Sequence, residues 1–477
     1  MKTGDNRKST DSGTSTAGRT AASSGSMFVT ADGQNLMFTF FLVVLLFALW
    51  GFCNGMIDVM DKHFQEQLHL SLSQSASVQF AHYLGYFLMA IPAGWLATRL
   101  GYKGGIICGL ALVAAGGFWF IPATHIGAFW SFLLGVCLIA AGLTFLETIA
   151  NPYTTVLGAP QYGATRINLA QSCNGIGWMF GPIAGGFFFY SKNASGESTG
   201  AETLWVPYAI IGVIVIILAV IFYFANVPDI KAEDDYHLDD ATPGVSRSIW
   251  THPHFVLAVV AQFLYVAAQA GIFSFFINYI TSQIPEIPTT WDAAIQHGPG
   301  FMKNLVNSMT AIHTTGIIGV SDKGAASLVS VGLFLFLIGR VTGTALLRGF
   351  SAHILLATYG VINTVLCLLI FCKLGWVSAA AIFGTYFFMS IMFPTIFALG
   401  IFGLGERSKR ASSYIVMAIM GGAVLPKLMG TIADAYDLSR GFIVPMLCFV
   451  FIAFYGFFWP KLSGFESLRG ISVSGGH

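Results

Sequence analysis

Charge is the scarce ingredient of this sequence. Asp, Glu, Lys and Arg make up 9% of its 477 residues, against roughly 25% in a soluble domain. A water-soluble chain of this length needs a polar coat, and these residues cannot supply one when 55% of the chain is hydrophobic. The surplus apolar surface has to face lipid. The two signs nearly cancel, leaving a formal net charge of +1, which implies neither a nucleic-acid reader nor a strongly acidic partner.

Cysteine is also sparse. Cys53, Cys108, Cys137, Cys173, Cys367, Cys372 and Cys448 all fall in apolar runs, are odd in number, and match no zinc or redox spacing. The histidines lack the paired spacing of a metal helix, and His252 and His254 merely flank a proline. Neither a metal nor a cofactor is expected. The chain has no glycine-rich phosphate loop with its lysine, so ATP is not expected to drive it, and nothing marks it as an enzyme.

What the sequence has in abundance is long apolar runs. Crossing about 30 Å of hydrocarbon takes roughly 20 helical residues, and twelve such runs occur, near 36–60, 76–98, 104–124, 126–150, 168–190, 203–225, 254–280, 325–347, 352–372, 375–402, 412–433 and 441–460. Only helices satisfy their own backbone in lipid as open-ended elements. The expected fold class is an all-α membrane protein with twelve transmembrane helices in two pseudo-symmetric six-helix halves. The expected organisation is a Ser/Thr/Gly-rich disordered tail over 1–35, a first half over 36–226, a linker over 227–252, a second half over 253–460 and a short tail over 461–477. The tail is not a signal peptide, since the run after it is too long and lacks a cleavage site. An outer excursion over 281–324 carries a short amphipathic pattern near 301–309.

Lys and Arg set the orientation. The loops after spans 2, 4, 8 and 10 hold Arg99 and Lys103, Arg166, Arg348, and Arg407 with Lys409 and Arg410. Those loops are therefore expected in the cytoplasm with both termini, and the chain as a multi-pass protein of the inner membrane.

The halves echo each other. Pro152 and Pro394 are each followed at the same distance by Leu-Gly, and Gly177 precedes Pro182 as Gly421 precedes Pro426. With the basic turns at Arg99 and Arg348, three pairs share an offset of about 245 residues, the mark of two repeated transporter halves.

Acids inside apolar runs cost about 2.5–3.5 kcal/mol on insertion scales and therefore tend to have a task. Glu147 is the clearest, in Leu143-Thr-Phe-Leu-Glu147-Thr-Ile-Ala-Asn151. Apolar surroundings disfavour the ionised carboxylate, which makes a neutral, proton-carrying form accessible; the bland alternative is a structural acid held by a neighbouring helix. Asp58 lies four residues after Asn54, on the same helical face, near the outer end of span 1 where it could also simply meet solvent. In span 5, Asn168, Gln171 and Asn174 are three apart, one polar stripe suited to sugar hydroxyls or to helix–helix hydrogen bonds. Span 7 repeats this with Gln262, Gln269 and Asn278, and Tyr265, Phe273 and Phe276 beside them could stack on a sugar ring or simply pack. Arg340, in span 8, could hold a carboxylate or carbonyl when the cavity closes, or could snorkel to the interface.

The chain resembles the fucose–galactose–hexose–proton symporter branch of the major facilitator superfamily. The likeness rests on Leu146-Glu147-Thr-Ile-Ala-Asn151-Pro152, Arg166-Ile-Asn168-Leu-Ala-Gln171, Phe393-Pro394-Thr-Ile-Phe, and Tyr86-Phe with Ile91-Pro92-Ala-Gly94 and Gly101-Tyr102-Lys103. The resemblance implies a monosaccharide carried with a proton (sodium in some relatives) through a lipid bilayer, with Asp58 and Glu147 as the coupling acids and Gln171 and Asn174 facing the sugar. It departs from fucose carriers at Gly55, where they have a second asparagine, and near Phe273, where they have tryptophan. The remaining readings are a passive sugar uniporter and a non-transporting sugar sensor. The functional unit is expected to be a monomer.

Overall fold

The computed structural model describes residues 27–30, 33–67, 72–189, 205–230, 248–283, 300, 310–312, 318–320 and 322–465. Twelve rods emerge from it. The first half comprises α1 (Met37–Gln67), α2 and α3 (72–100 and 102–126), α4 (Phe129–Val156), α5 (Gly163–Phe189) and α6 (Trp205–Phe224). The second comprises α7 (Pro253–Gln283), α8 (Asp322–Leu346), α9 (Ala352–Phe371), α10 (Trp376–Met389 with Met392–Ile401), α11 (Ser408–Met417 with Gly421–Ala435) and α12 (Ile443–Ser463). A short antiparallel pair, Thr310–Ile312 with Ile318–Val320, precedes α8.

The α2–α3 boundary is a single residue. Helical hydrogen bonding runs from Leu72 to Ile126, but Gly101 has φ 69° and ψ −176°, a conformation that swings the chain between two helices. Among the described residues ten helices are long and apolar enough to cross a membrane, with 81–126 taken as one. Dividing that rod at Gly101 makes eleven. The twelfth, α5, is less apolar because it carries Arg166, Asn168, Gln171 and Asn174.

Burial sorts the helices by role. Every residue of α4 from Ile139 to Thr154 is buried, so this helix stands inside the bundle with neighbours on all sides. On α6, by contrast, Val213, Ile214, Ile216, Ile217, Val220 and Ile221 are exposed, a lipid-facing surface.

The repeat seen in the sequence is a packing repeat. A Cβ on Gly177 of α5 would meet the carbonyl oxygen of Ala48 on α1, and a Cβ on Gly421 of α11 would meet that of Phe263 on α7. Each glycine thus lets the fifth helix of its half lie directly on the first, the small-residue contact that membrane bundles use in place of a hydrophobic drive.

Three details add to or differ from the sequence expectation. Residues 27–30 and 33–35, read as part of the tail, form a turn closed by a Val29–Asn35 bridge, with Phe28 packed on Phe40 at 4.9 Å. The linker contributes a short turn, Ile249–Thr251, to the described structure, while 231–247 and the 301–309 pattern lie outside the described residues. Arg166, read as a loop charge, is fully buried inside α5. Its guanidinium donates to the carbonyls of Thr154 at 2.8 Å, Met27 at 2.8 Å and Ala159 at 2.9 Å, and also to Thr155. The Thr154 and Thr155 carbonyls belong to the last turn of α4, where helical donors have run out, and the arginine supplies them.

Candidate functional site

A cavity of about 600 Å³ opens between the two halves, within the range of small-molecule sites. The first half supplies most of its polar groups: Asn54 from α1, His82 and Tyr86 from α2, Glu147 from α4, and Gln171 and Asn174 from α5. The second half supplies Gln269, Phe273 and Ser274 from α7, and Phe336 and Arg340 from α8.

Glu147 is 1% exposed, and neither carboxyl oxygen has a hydrogen-bond partner among the described residues. Tyr86 faces it, its hydroxyl receiving the Trp50 indole N–H at 2.8 Å. Asn54 brings another unpartnered buried atom, Oδ1, to the same wall. A buried polar atom left unpaired forfeits about 1–3 kcal/mol. A hydroxylated guest can satisfy these atoms.

The expected amides part company. Gln171 and Asn174 line the cavity, their side chains donating to Asn151 Oδ1 at 3.3 Å and to the Phe47 carbonyl at 3.2 Å. Asn168 does not line it; it donates to the Ala164 carbonyl at 2.8 Å and to Thr395 Oγ1 of α10 at 3.2 Å, one turn nearer the basic ends. Gln269 lines the cavity, whereas Gln262, two turns away along α7, is fully buried outside it with both amide atoms unpartnered. Phe273 presents a ring to the cavity and stacks behind on Tyr386 at 4.6 Å. Asp58 falls nine residues before the end of α1, and its side chain lies outside the described residues.

Arg340 forms part of the floor. Its Nε donates to the Ser390 carbonyl at 2.9 Å, its Nη1 to the Gln171 carbonyl at 2.6 Å, and its guanidinium lies 4.7 Å from the Phe336 ring centre. It therefore ties α8 and α10 to α5, half to half. Further bonds between the halves follow towards the ends that carry Arg99, Arg348 and Arg407: Ser412 Oγ donates to the Thr148 carbonyl at 2.7 Å, and Lys409 Nζ meets Asp229 at 2.9 Å. The basic side is shut, and the cavity lies beyond these bonds.

Several lining residues were not singled out from the sequence, among them Trp50, His82, Tyr83 and Trp178. The available signal was His82-Tyr83 one helical turn before Tyr86, a polar face on α2 that the abundance of aromatics hides.

Comparison with known proteins places this geometry. The chain is 34% identical to the L-fucose-proton symporter of Escherichia coli, over 90% of this chain and 94% of that protein. It is 31% identical to the glucose/galactose transporter of Brucella abortus, over 91% of this chain and 96% of that protein. The crystal structure of a Major Facilitator Superfamily transporter, FucP, in the outward conformation superposes with a TM-score of 0.72 at 34% identity, covering 89% of this chain and 99% of that one. A proton:xylose symporter shares the fold, with a TM-score of 0.62 at 12% identity over 90% of this chain and 97% of that one. Residues 36–425 match the Major Facilitator Superfamily, and with its twelve membrane helices and central cavity the chain belongs to that family of transporters.

Proposed function

We propose that this chain imports a neutral monosaccharide, L-fucose or a related hexose such as glucose or galactose, together with a proton. The observation that carries this reading is Glu147, a buried carboxyl with both oxygens unpartnered among the described residues, in a cavity whose lining includes the amides Asn54, Gln171, Asn174 and Gln269, several aromatic rings, and Arg340. Amides donate and accept together, which matches sugar hydroxyls, and Phe273 and Trp178 offer apolar faces to the C–H side of a sugar ring. The names of the relatives, a fucose-proton symporter and a glucose/galactose transporter, support the same cargo class.

The cycle is alternating access. With the basic side shut, the cavity receives sugar and a proton from the opposite side. Glu147 holds the proton, with Asp58 of α1 as the second coupling acid, while Asn54, Gln171, Asn174 and Gln269 bind the sugar. Protonation removes the buried charge, which lets the halves rock without dragging a carboxylate through a low-dielectric interior. Breaking the bonds of Arg340, Ser412 and Lys409 then opens the basic side, the cytoplasm, where both termini lie. One charge moving through 100 mV supplies about 2.3 kcal/mol, enough for roughly fifty-fold accumulation of a neutral solute. A cavity walled by both halves of one chain supports the monomer as the working unit.

The test is uptake of labelled L-fucose, glucose and galactose into proteoliposomes under an inward proton gradient or a sodium gradient alone. Proton-driven accumulation of one sugar is the expected result. Accumulation under sodium alone would transfer the coupling to that ion, flux without accumulation would make the chain a uniporter, and no flux of any sugar would remove the cargo assignment.

A further inference from the structure

A second concavity lies outside the transport cavity, on the basic side where the halves meet. It is a groove of about 800 Å³ walled by Trp95 and Thr98 of α2, Trp250 before α7, and Arg407, Arg410 and Tyr414 at the start of α11. Its one acid among the described residues, Glu406, is already engaged with Lys409 at 3.4 Å. Arg99 extends the basic surface, its guanidinium 4.4 Å over the Trp95 ring. Among the described residues the local balance is thus positive, in a chain whose total charge is close to zero.

The aromatic walls say what kind of anion fits. Trp95 and Trp250 are 53% and 48% exposed, and Trp250 packs edge-on against Tyr414 at 4.7 Å. Indoles held half in and half out, beside arginines, are the signature of the lipid headgroup level. From Trp95 an exposed apolar stripe continues along α2 through Ile91 and Leu88, at the three- and four-residue spacing that keeps one helical face. A free phosphate would use the arginines and leave the indoles and the stripe unused. A phospholipid uses all three.

We propose that this groove binds the headgroup of an anionic phospholipid, with the phosphate held by Arg407 and Arg410 and an acyl chain laid along Trp95, Ile91 and Leu88. The walls come from both halves, so a lipid seated there contacts them together only while the basic side is shut. It therefore favours that state, in proportion to its preference for it.

The experiment titrates the purified full-length protein with phosphatidylglycerol, phosphatidylcholine or inorganic phosphate and counts bound molecules by native mass spectrometry. Phosphatidylglycerol is expected to bind the wild type at least ten-fold more tightly than phosphatidylcholine, with little competition from phosphate at equal concentration. Arg407→Gln with Arg410→Gln lowers that binding about thirty-fold, at the roughly 1 kcal/mol that each basic residue contributes near an anionic lipid. Arg348→Gln, on the same side but outside the groove, leaves it within about two-fold. If the double variant does not fold, Arg410→Gln alone is expected to weaken binding about five-fold, since Arg410 is exposed. Equal binding of the two lipids, unchanged binding in the variants, or full displacement by inorganic phosphate would each overturn the proposal. So would lipid binding that appears only after Glu233, Asp234, Asp235, Asp239 and Asp240 are neutralised, which would make the chain's own acidic run the occupant.

Discussion

Arg340 of α8 donates to the backbone carbonyl of Gln171 on α5 at 2.6 Å, while the Gln171 side chain lines the cavity. A residue expected to touch cargo is therefore anchored, through its own main chain, to the closure between the halves. Occupancy of the cavity and the state of the closure share one residue. Arg340→Lys can reach one of the two carbonyls but not both, because it lacks the planar fork. We expect the maximal uptake rate to fall about ten-fold or more, with a smaller change in sugar affinity measured by equilibrium binding. An unchanged rate would remove Arg340 from the closure.

Glu147→Gln keeps the shape of the side chain and removes the titration. Proton-driven accumulation should fall from roughly fifty-fold at 100 mV to none, while exchange of preloaded sugar continues. Loss of both would assign Glu147 to sugar binding or folding instead of coupling.

The amides divide into two kinds that one assay can separate. Gln269→Ala should raise the half-saturating sugar concentration about ten-fold, the worth of one good hydrogen bond to a guest. Asn168→Ala should leave that concentration nearly unchanged and alter the turnover rate, since its partner is Thr395 across the floor. The reverse pattern would show that the floor opens to the sugar.

Lys409 is 3% exposed and meets Asp229, Glu406 and the Tyr102 ring, 4.4 Å from its Nζ. Asp229→Asn removes a half-exposed partner, so the closed state should lose only about 1 kcal/mol or less. That is up to about five-fold in population, readable as faster labelling of a cysteine placed at Ser412. No change in labelling would mean that the pair does not hold the basic side shut.

Gly177→Ala and Gly421→Ala place a methyl against a facing backbone carbonyl in equivalent positions of the two halves. Backbone cannot yield as a side chain can, so each should cost about 1–3 kcal/mol and lower the yield of folded protein. Similar losses in both variants are the expected sign of the repeat; a loss in one alone would confine the close packing to that half.

Hydropathy alone was enough to mark the membrane helices, because lipid leaves an exposed segment no choice but an apolar helix. Glu147 was legible for the same reason, a lone acid in an unbroken apolar run. The helix periods also brought out the polar faces of α5 and α7. What periodicity could not convey is depth. Asn168 and Gln171 share a stripe, as do Gln262 and Gln269, yet one of each pair lines the cavity and the other is buried beyond its floor. Arg166 shows the same limit: one-dimensional charge marked it as a loop residue, and only the carbonyls gathered around it reveal a buried clamp.

The sequence by itself thus determined the class, the helix count, the internal repeat and the buried acid Glu147, all of which follow from the local exchange between side chains and lipid. The tertiary structure alone decided where the two halves touch. That contact sets the floor at Arg340 and separates the cavity-lining amides from those buried beyond it, because it depends on pairs such as Arg340 with Gln171 and Ser412 with Thr148 that lie far apart in the chain and that no local pattern relates; packing within the first half gathers His82, Tyr86 and Trp50 beside Glu147.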